Sequence, residues 1–391
     1  MSIWRCVRSR AHISPAVIIL LIFGLVSYLL ATFEGATSAA ENATQLAAPP
    51  GSPRSDPHRV MGVSKGDCKK CHPSEVAAWM KTVHYQTAER RLFKFEGNTK
   101  KYADALGIGQ AELLTDSLCA DCHGTKAVSQ SGVTVIAGVS CESCHGAAGG
   151  EDGWLNPHQS YHETMPIPRT QETEEHRRKR IEYCERAGKI HSHNVIGLAQ
   201  KCSGCHIIDN EKLIAAGHKA ASAFEFVSWS SGEVRHNFLL NKDVNEEAPS
   251  LWLENTGGSA ANRRRVKFVT GALVQLEVAL RRRAAASSPL VIPQYGGIAA
   301  AANGTLAQIN AVAAIEETRA VAGLCTPLLA TLFVPQPNDA KTYNQAADQI
   351  ALQTKLFVER HDGSQLQAID ALIQARPAHY SQQFKKQYSG R

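Results

Sequence analysis

Eight of the chain's 11 cysteines fall in four copies of one five-residue word. The copies are Cys68-Lys-Lys-Cys71-His72, Cys119-Ala-Asp-Cys122-His123, Cys141-Glu-Ser-Cys144-His145 and Cys202-Ser-Gly-Cys205-His206. Two thiols separated by two residues can add to the two vinyl groups of one haem, and the histidine that follows binds its iron, so C-x-x-C-H is the attachment signature of haem c. A lone C-x-x-C also suits a redox disulfide or half a zinc site. Four copies, each closed by His, instead point to four covalently held haem c groups with His72, His123, His145 and His206 as proximal ligands. The sulfurs consumed are those of Cys68, Cys71, Cys119, Cys122, Cys141, Cys144, Cys202 and Cys205. Cys6, Cys184 and Cys325 are left over. The last two sit singly in helical surroundings and read as small buried apolar groups, although an oxidising compartment would allow a disulfide between them.

A second imidazole on each iron has to come from elsewhere in the chain. His84 stands twelve residues after His72, about 18 Å away along a continuous helix. It therefore suits a neighbouring haem better than its own, if it is a ligand and not a core or surface side chain. His218 stands twelve residues after His206, behind Gly217, which ends a short helical run and frees the backbone to turn. Phe224 and Phe226 offer aromatic surface nearby. A glycine-rich stretch, residues 146–153, leads to His158 and His162. With no Gly-Lys-Ser after it, it fits packing against a porphyrin and not a phosphate cradle. His176, His191 and His193 fall in or after a charged segment and read as surface histidines. His236 precedes Asn237-Phe238.

The elements that position these groups read as mainly α. Pro73-Ser74-Glu75 opens a helix, with Val76, Trp79, Met80 and Val83 on one face. Residues 131–138 fit a short strand or an extended connector, and residues 170–188 a solvated helix. Past residue 250 no such word occurs. Val266, Val269, Leu273, Leu276 and Leu280 repeat at helical spacing, as do Tyr343, Ala347, Ile350, Thr354 and Phe357. Shorter patterns cover 306–324 and 366–373, with Pro289, Pro293, Pro335 and Pro337 as breaks. The expected fold is a mainly α, haem-packed domain with few or no strands, residues 65–250, followed by an α-helical bundle, residues 251–391. The bundle carries no catalytic constellation.

Residues 13–33 are uncharged, long enough to cross a hydrocarbon core of ~30 Å, and preceded by Arg5, Arg8 and Arg10. Residues 1–34 are thus expected to be a signal peptide or an N-terminal membrane anchor, with residues 35–64 a flexible linker. Either way the haem-bearing part lies outside the cytoplasmic membrane, in the periplasm. The formal net charge of +6 is offset by haem propionates, and the basic runs 177–180, 263–265 and 281–283 read as solvated helix faces. Nucleic acid is not an expected partner. Redox proteins are.

The first word followed by Trp79 and His84, the run Gly138-Val-Ser-Cys141-Glu-Ser-Cys144-His145-Gly146, and Ala216-Gly217-His218 before Phe224-Glu225-Phe226 resemble the tetrahaem cytochrome c-554 family. That family includes the electron acceptor of hydroxylamine oxidation. The resemblance covers roughly residues 63–238, and the C-terminal bundle is similar to an extension of some multihaem relatives. It implies distal ligation by His84, His218 and His236. The loop after the third word departs from the usual family form, in which a proline follows and a histidine comes soon after. The choice of His158 over His162 as the fourth distal ligand is therefore open.

An iron held by two histidines has no open position and changes charge with little rearrangement, which suits a periplasmic electron carrier. One haem lacking its distal side chain would instead make a haem enzyme acting on a small nitrogen compound. A membrane-anchored quinol dehydrogenase also pairs an N-terminal helix with four haems. The linker and the long C-terminal bundle are foreign to it.

Overall fold

A computed structural model describes residues 67–129, 131–149, 153–155, 172–234, 259–336 and 339–388. The expected membrane segment, the linker, His158, His162 and His236 lie outside the described residues, as does the side chain of Cys71.

The described chain is mostly helical. Its first part is a succession of short helices: α1 Asp67–Cys71, α2 Pro73–Trp79, α3 Thr87–Arg91, α4 Gly97–Leu106 and α5 Leu118–His123. A hairpin follows, β1 Thr125–Ser129 antiparallel to β2 Gly132–Ala137, with Thr125 paired to Ala137 and Ser129 to Gly132. The strand expected at 131–138 is present, but its partner was not legible. Lys126 is buried in β1 and holds Asp116 and Asp121 at 2.5 Å each, so the strand lacks an apolar alternation. Next come α6 Cys141–His145, α7 Glu174–Arg186, α8 Val195–His206, α9 Glu211–Ala215 and α10 Phe226–Ser230. The C-terminal part is α11 Ala260–Ala285, α12 Ile292–Val312, α13 Glu316–Cys325, α14 Asp339–Arg360, α15 Asp370–Gln374 and α16 Gln382–Tyr388. Pro293 does not break a helix. It sits in the first turn of α12, where its missing N–H costs nothing.

The two parts are packed in different ways. The C-terminal helices share a large apolar core built on α11, including Leu273, Leu276, Leu280, Leu306, Tyr343, Ile350 and Phe357. A second cluster joins α8 to α11 and α12 through Ile207, Phe224, Val274, Val278 and Tyr295. Among the described residues around the second and third words the buried clusters are small: Ala88, Leu92, Ala120 and Val135 in one, Ala148, Trp154 and Cys184 in the other. So little apolar side-chain contact does not hold a fold of this length on its own.

The arginine runs divide likewise. On α7 Arg178 is exposed and Lys179 half-exposed, whereas Arg177, paired with Glu174, and Arg180, paired with the buried side chain of Glu172, are largely covered. On α11 the expectation of solvated faces fails. Arg263, Arg265 and Arg283 are buried, because neighbouring elements cover α11 on nearly every side. Arg265 pairs with Asp370 at 2.6 Å and Arg283 with Asp339 at 2.8 Å. The remaining guanidinium N–H groups of Arg283 include donors to the carbonyls of Leu332 and Val334, 2.8 Å each. Cys184 and Cys325 are free buried thiols in separate clusters, so the disulfide between them does not form.

Candidate haem sites

Each word is one helical turn. The word fills α1 with His72 just beyond it, all but the first residue of α5, the whole of α6, and the last turn of α8. A helix puts residues i, i+3 and i+4 on one side, so in the second, third and fourth words two sulfurs and an imidazole leave the turn together. The turns are started locally. Ser117 Oγ accepts from the Ala120 N–H at 3.1 Å, Ser140 and Ser143 form a reciprocal capping box, and Asn194 Oδ1 accepts from the Gly197 N–H at 2.8 Å.

The imidazoles are oriented by their Nδ1 atoms. His145 Nδ1 lies 2.8 Å from the Ile190 carbonyl and His218 Nδ1 2.8 Å from that of Lys219. A carbonyl only accepts, so in both rings Nδ1 carries the proton and Nε2 keeps the lone pair that a metal needs. His206 Nδ1 is engaged by Ser222 Oγ at 2.6 Å, a hydroxyl that can donate or accept, so this contact orients the ring without fixing which nitrogen carries the proton.

Two pairs of imidazoles face each other. The ring centroids of His84 and His206 are 6.2 Å apart, and those of His123 and His218 are 6.5 Å apart. Two rings sharing one iron, each with a nitrogen–metal bond of about 2 Å and a ring radius of about 1.1 Å, would have centroids about 6.2 Å apart. Both pairs fit. Each joins a word to the segment that follows a different word, as the twelve-residue spacing suggested for His84. Burial holds the imidazoles neutral, the form that binds metal. His206 is pushed down to about 3 and His123 to about 4, both mainly by burial, and His84 is lowered for the same reason.

The position of His84 depends on one glycine. A Cβ at Gly138 would run into the carbonyl oxygens of His84 and Tyr85, so only glycine lets the approach to the third word pack against the backbone that carries His84. Trp79 Nε1 donates to the Val139 carbonyl at 2.7 Å and ties the same two segments. Across the molecule, thiols of different words adjoin. Cys68 hydrogen-bonds Cys141 and thereby, with burial, pushes its thiol up; Cys122 does the same to Cys205. The attachment points of the first and third words are neighbours, as are those of the second and fourth.

His191 is not the solvent-facing residue that the sequence suggested. Its Nδ1 lies 3.2 Å from Glu185 Oε1, its Nε2 is buried with no hydrogen-bond partner, and its ring stacks on His193 at 5.4 Å. Burial pushes it down to about 4, whereas its two histidine partners hold Glu185 down at about 2. An engaged Nδ1 and an open Nε2 repeat the pattern of the word histidines. The readable signal was a glutamate six residues before a His-Ser-His run.

Residues 67–146 match the family model described as cytochrome c554 and c-prime. Over this stretch the chain is similar to the cytochrome c554 family. The match takes in the first three words; the fourth, at Cys202–His206, lies beyond it. No curated protein and no solved structure matches the chain. The likeness supports a c-type cytochrome with an electron-transfer role and implies covalently bound haem c, and the residues present fit that group. Each word offers its thiols and imidazole from one helical turn, and the facing rings leave the gap that an iron between them requires.

Proposed function

We propose that the chain is an exported, periplasmic carrier that passes electrons between redox proteins through four haem c groups. The observation that carries this is the two facing imidazole pairs, His84 with His206 and His123 with His218. Bound haem supplies a one-electron ferric–ferrous change. The protein's part is to hold two neutral imidazoles at fixed separation, so that little moves when the charge changes. Small side-chain clusters around the second and third words leave room for porphyrin surface to complete the core of residues 65–250, and residues 251–391 are the appended helical bundle. The ligands opposite His72 and His145 are drawn from His158 or His162, His236 and His191, the last on the strength of its open, buried Nε2. Export rests on residues 13–33 and on haem c being attached outside the cytoplasm.

The test is intact mass combined with an absorption spectrum of the purified protein. Four haems above the mature polypeptide mass and a low-spin spectrum are expected. Three haems or fewer, from a host with full haem c maturation, would overturn the count. A high-spin fraction of about one quarter would move the assignment to an enzyme acting at one open iron.

A further inference from the structure

The pair His84 and His206 is backed by a segment from the far end of the chain. Behind His206, the Trp229 indole presents its edge to the imidazole at 4.9 Å. Trp229 also meets Phe224 edge-on at 5.7 Å and stacks on His379 at 4.2 Å with the rings 3° from parallel. His379 is locked there: its N–H donates to the Ser228 carbonyl at 2.8 Å and its carbonyl accepts from the Glu233 N–H at 3.0 Å. Ser228 Oγ donates to the Pro377 carbonyl at 2.6 Å, and a Cβ at Gly232 would collide with the His379 carbonyl. Behind His84 stands Glu233, a buried carboxylate. Its Oε1 accepts from the N–H of Val83, the residue before His84, at 3.0 Å, and its Oε2 from the Ser381 N–H at 2.7 Å. One side chain thus fastens the His84 loop to the C-terminal segment, and the same segment braces the tryptophan against His206. The Glu233 charge also acts directly on the His84 imidazole.

We infer that residues 377–381 belong to the His84–His206 haem site and that Glu233 is its positioning residue, holding the His84 loop and lowering the reduction potential of that haem. The inference rests on the reading that these two histidines share an iron. A carboxylate beside an axial imidazole favours the ferric, more positive state, and burial keeps water from screening it. The C-terminal helices then have a redox role: they deliver the strand of chain that completes one haem pocket.

The test is a redox titration of Glu233→Gln in the full-length, haem-loaded protein. Gln keeps the size and one acceptor but not the charge. One of the four potentials should rise on the order of tenfold in the oxidised-to-reduced ratio, 59 mV for a one-electron couple, with the low-spin spectrum retained. Glu233→Asp, which restores the charge, should return it towards the wild-type value. Four unchanged potentials in a Glu233→Gln protein holding four haems overturn the inference. If that variant does not assemble, Ser381→Pro decides, because it removes the N–H that Glu233 binds and leaves the carboxylate in place. Faster hydrogen exchange at 377–381 together with a shift of one haem potential supports the assignment, and released exchange with four wild-type potentials overturns it. The underlying reading fails separately, if His84→Ala and His206→Ala perturb two different haems.

Discussion

Replacing His218 by alanine removes the ring opposite His123, and the structure lets the local effect be separated from damage to the fold. The imidazole contributes an edge-on contact with Tyr102, centroids 5.3 Å apart, and a hydrogen bond to the Lys219 carbonyl. Such an aromatic pair is worth about 0.5–1.5 kcal/mol and such a hydrogen bond about 0.5–1.5 kcal/mol. The loss is therefore about 1–3 kcal/mol, within the margin of ~5–15 kcal/mol that folded proteins keep. The variant should fold and load its haems, and the change should be confined to the iron of the second word. Carbon monoxide titration of the reduced variant should find one binding equivalent per protein where the wild type has none, and about one quarter of the haem absorbance should turn high-spin. A variant that binds no carbon monoxide and keeps the wild-type spectrum would show that His218 is not the partner of His123. The 6.5 Å spacing would then be coincidence.

Gly138→Ala places a methyl group against the His84 and Tyr85 carbonyls, and overpacking of this kind costs about 1–3 kcal/mol; a lower melting temperature with partial high-spin character is expected, whereas a wild-type spectrum and melt would mean the contact yields freely. Arg283→Met strips the buried partner of Asp339 and of the Thr331, Leu332 and Val334 carbonyls and should cost about 3 kcal/mol in denaturant unfolding, with the haem spectrum unaltered. Acid should act through the imidazoles. Even before a metal is bound, burial pushes His123 down to about 4 and His206 to about 3 from the ordinary 6.5, so the unfolded chain takes up their protons first. The stability they contribute is complete above about pH 6.5 and is lost as the pH falls towards 4 and 3; a low-spin spectrum that weakened on raising the pH from 6 to 8 would contradict this.

What could be read from sequence alone follows from how the chemistry is distributed along the chain. Thioether attachment and proximal ligation need contiguous residues in one helical turn, so Cys68, His72 and their counterparts stand out as words. A distal ligand needs only to arrive at the right place, and its neighbours in sequence say little about that. His84 stands out because a straight helix cannot return it to its own haem, and the structure sets its ring opposite that of His206. His191 reads as a surface histidine because its partner Glu185 looks like one more charge on the charged α7. The long apolar repeats of α11 and α14 were plain, since many residues report one period. The burial of Arg263, Arg265 and Arg283 was hidden, because a basic triplet looks the same whether it faces water or lies under neighbouring helices. Nor could any local pattern announce that Glu233 and Ser381, far apart in the chain, meet beside the loop of His84.

The adjoining thiols bear on how the molecule is made. Cys68 meets Cys141, and Cys122 meets Cys205, only after long stretches of intervening chain have been synthesised and drawn together. In an oxidising compartment two such sulfurs within reach are an invitation to a crosslink that would block both words at once. An emerging, extended chain keeps them apart. Biogenesis is therefore a race between covalent loading and collapse, and the safe order is to modify each word while its future neighbour is still distant.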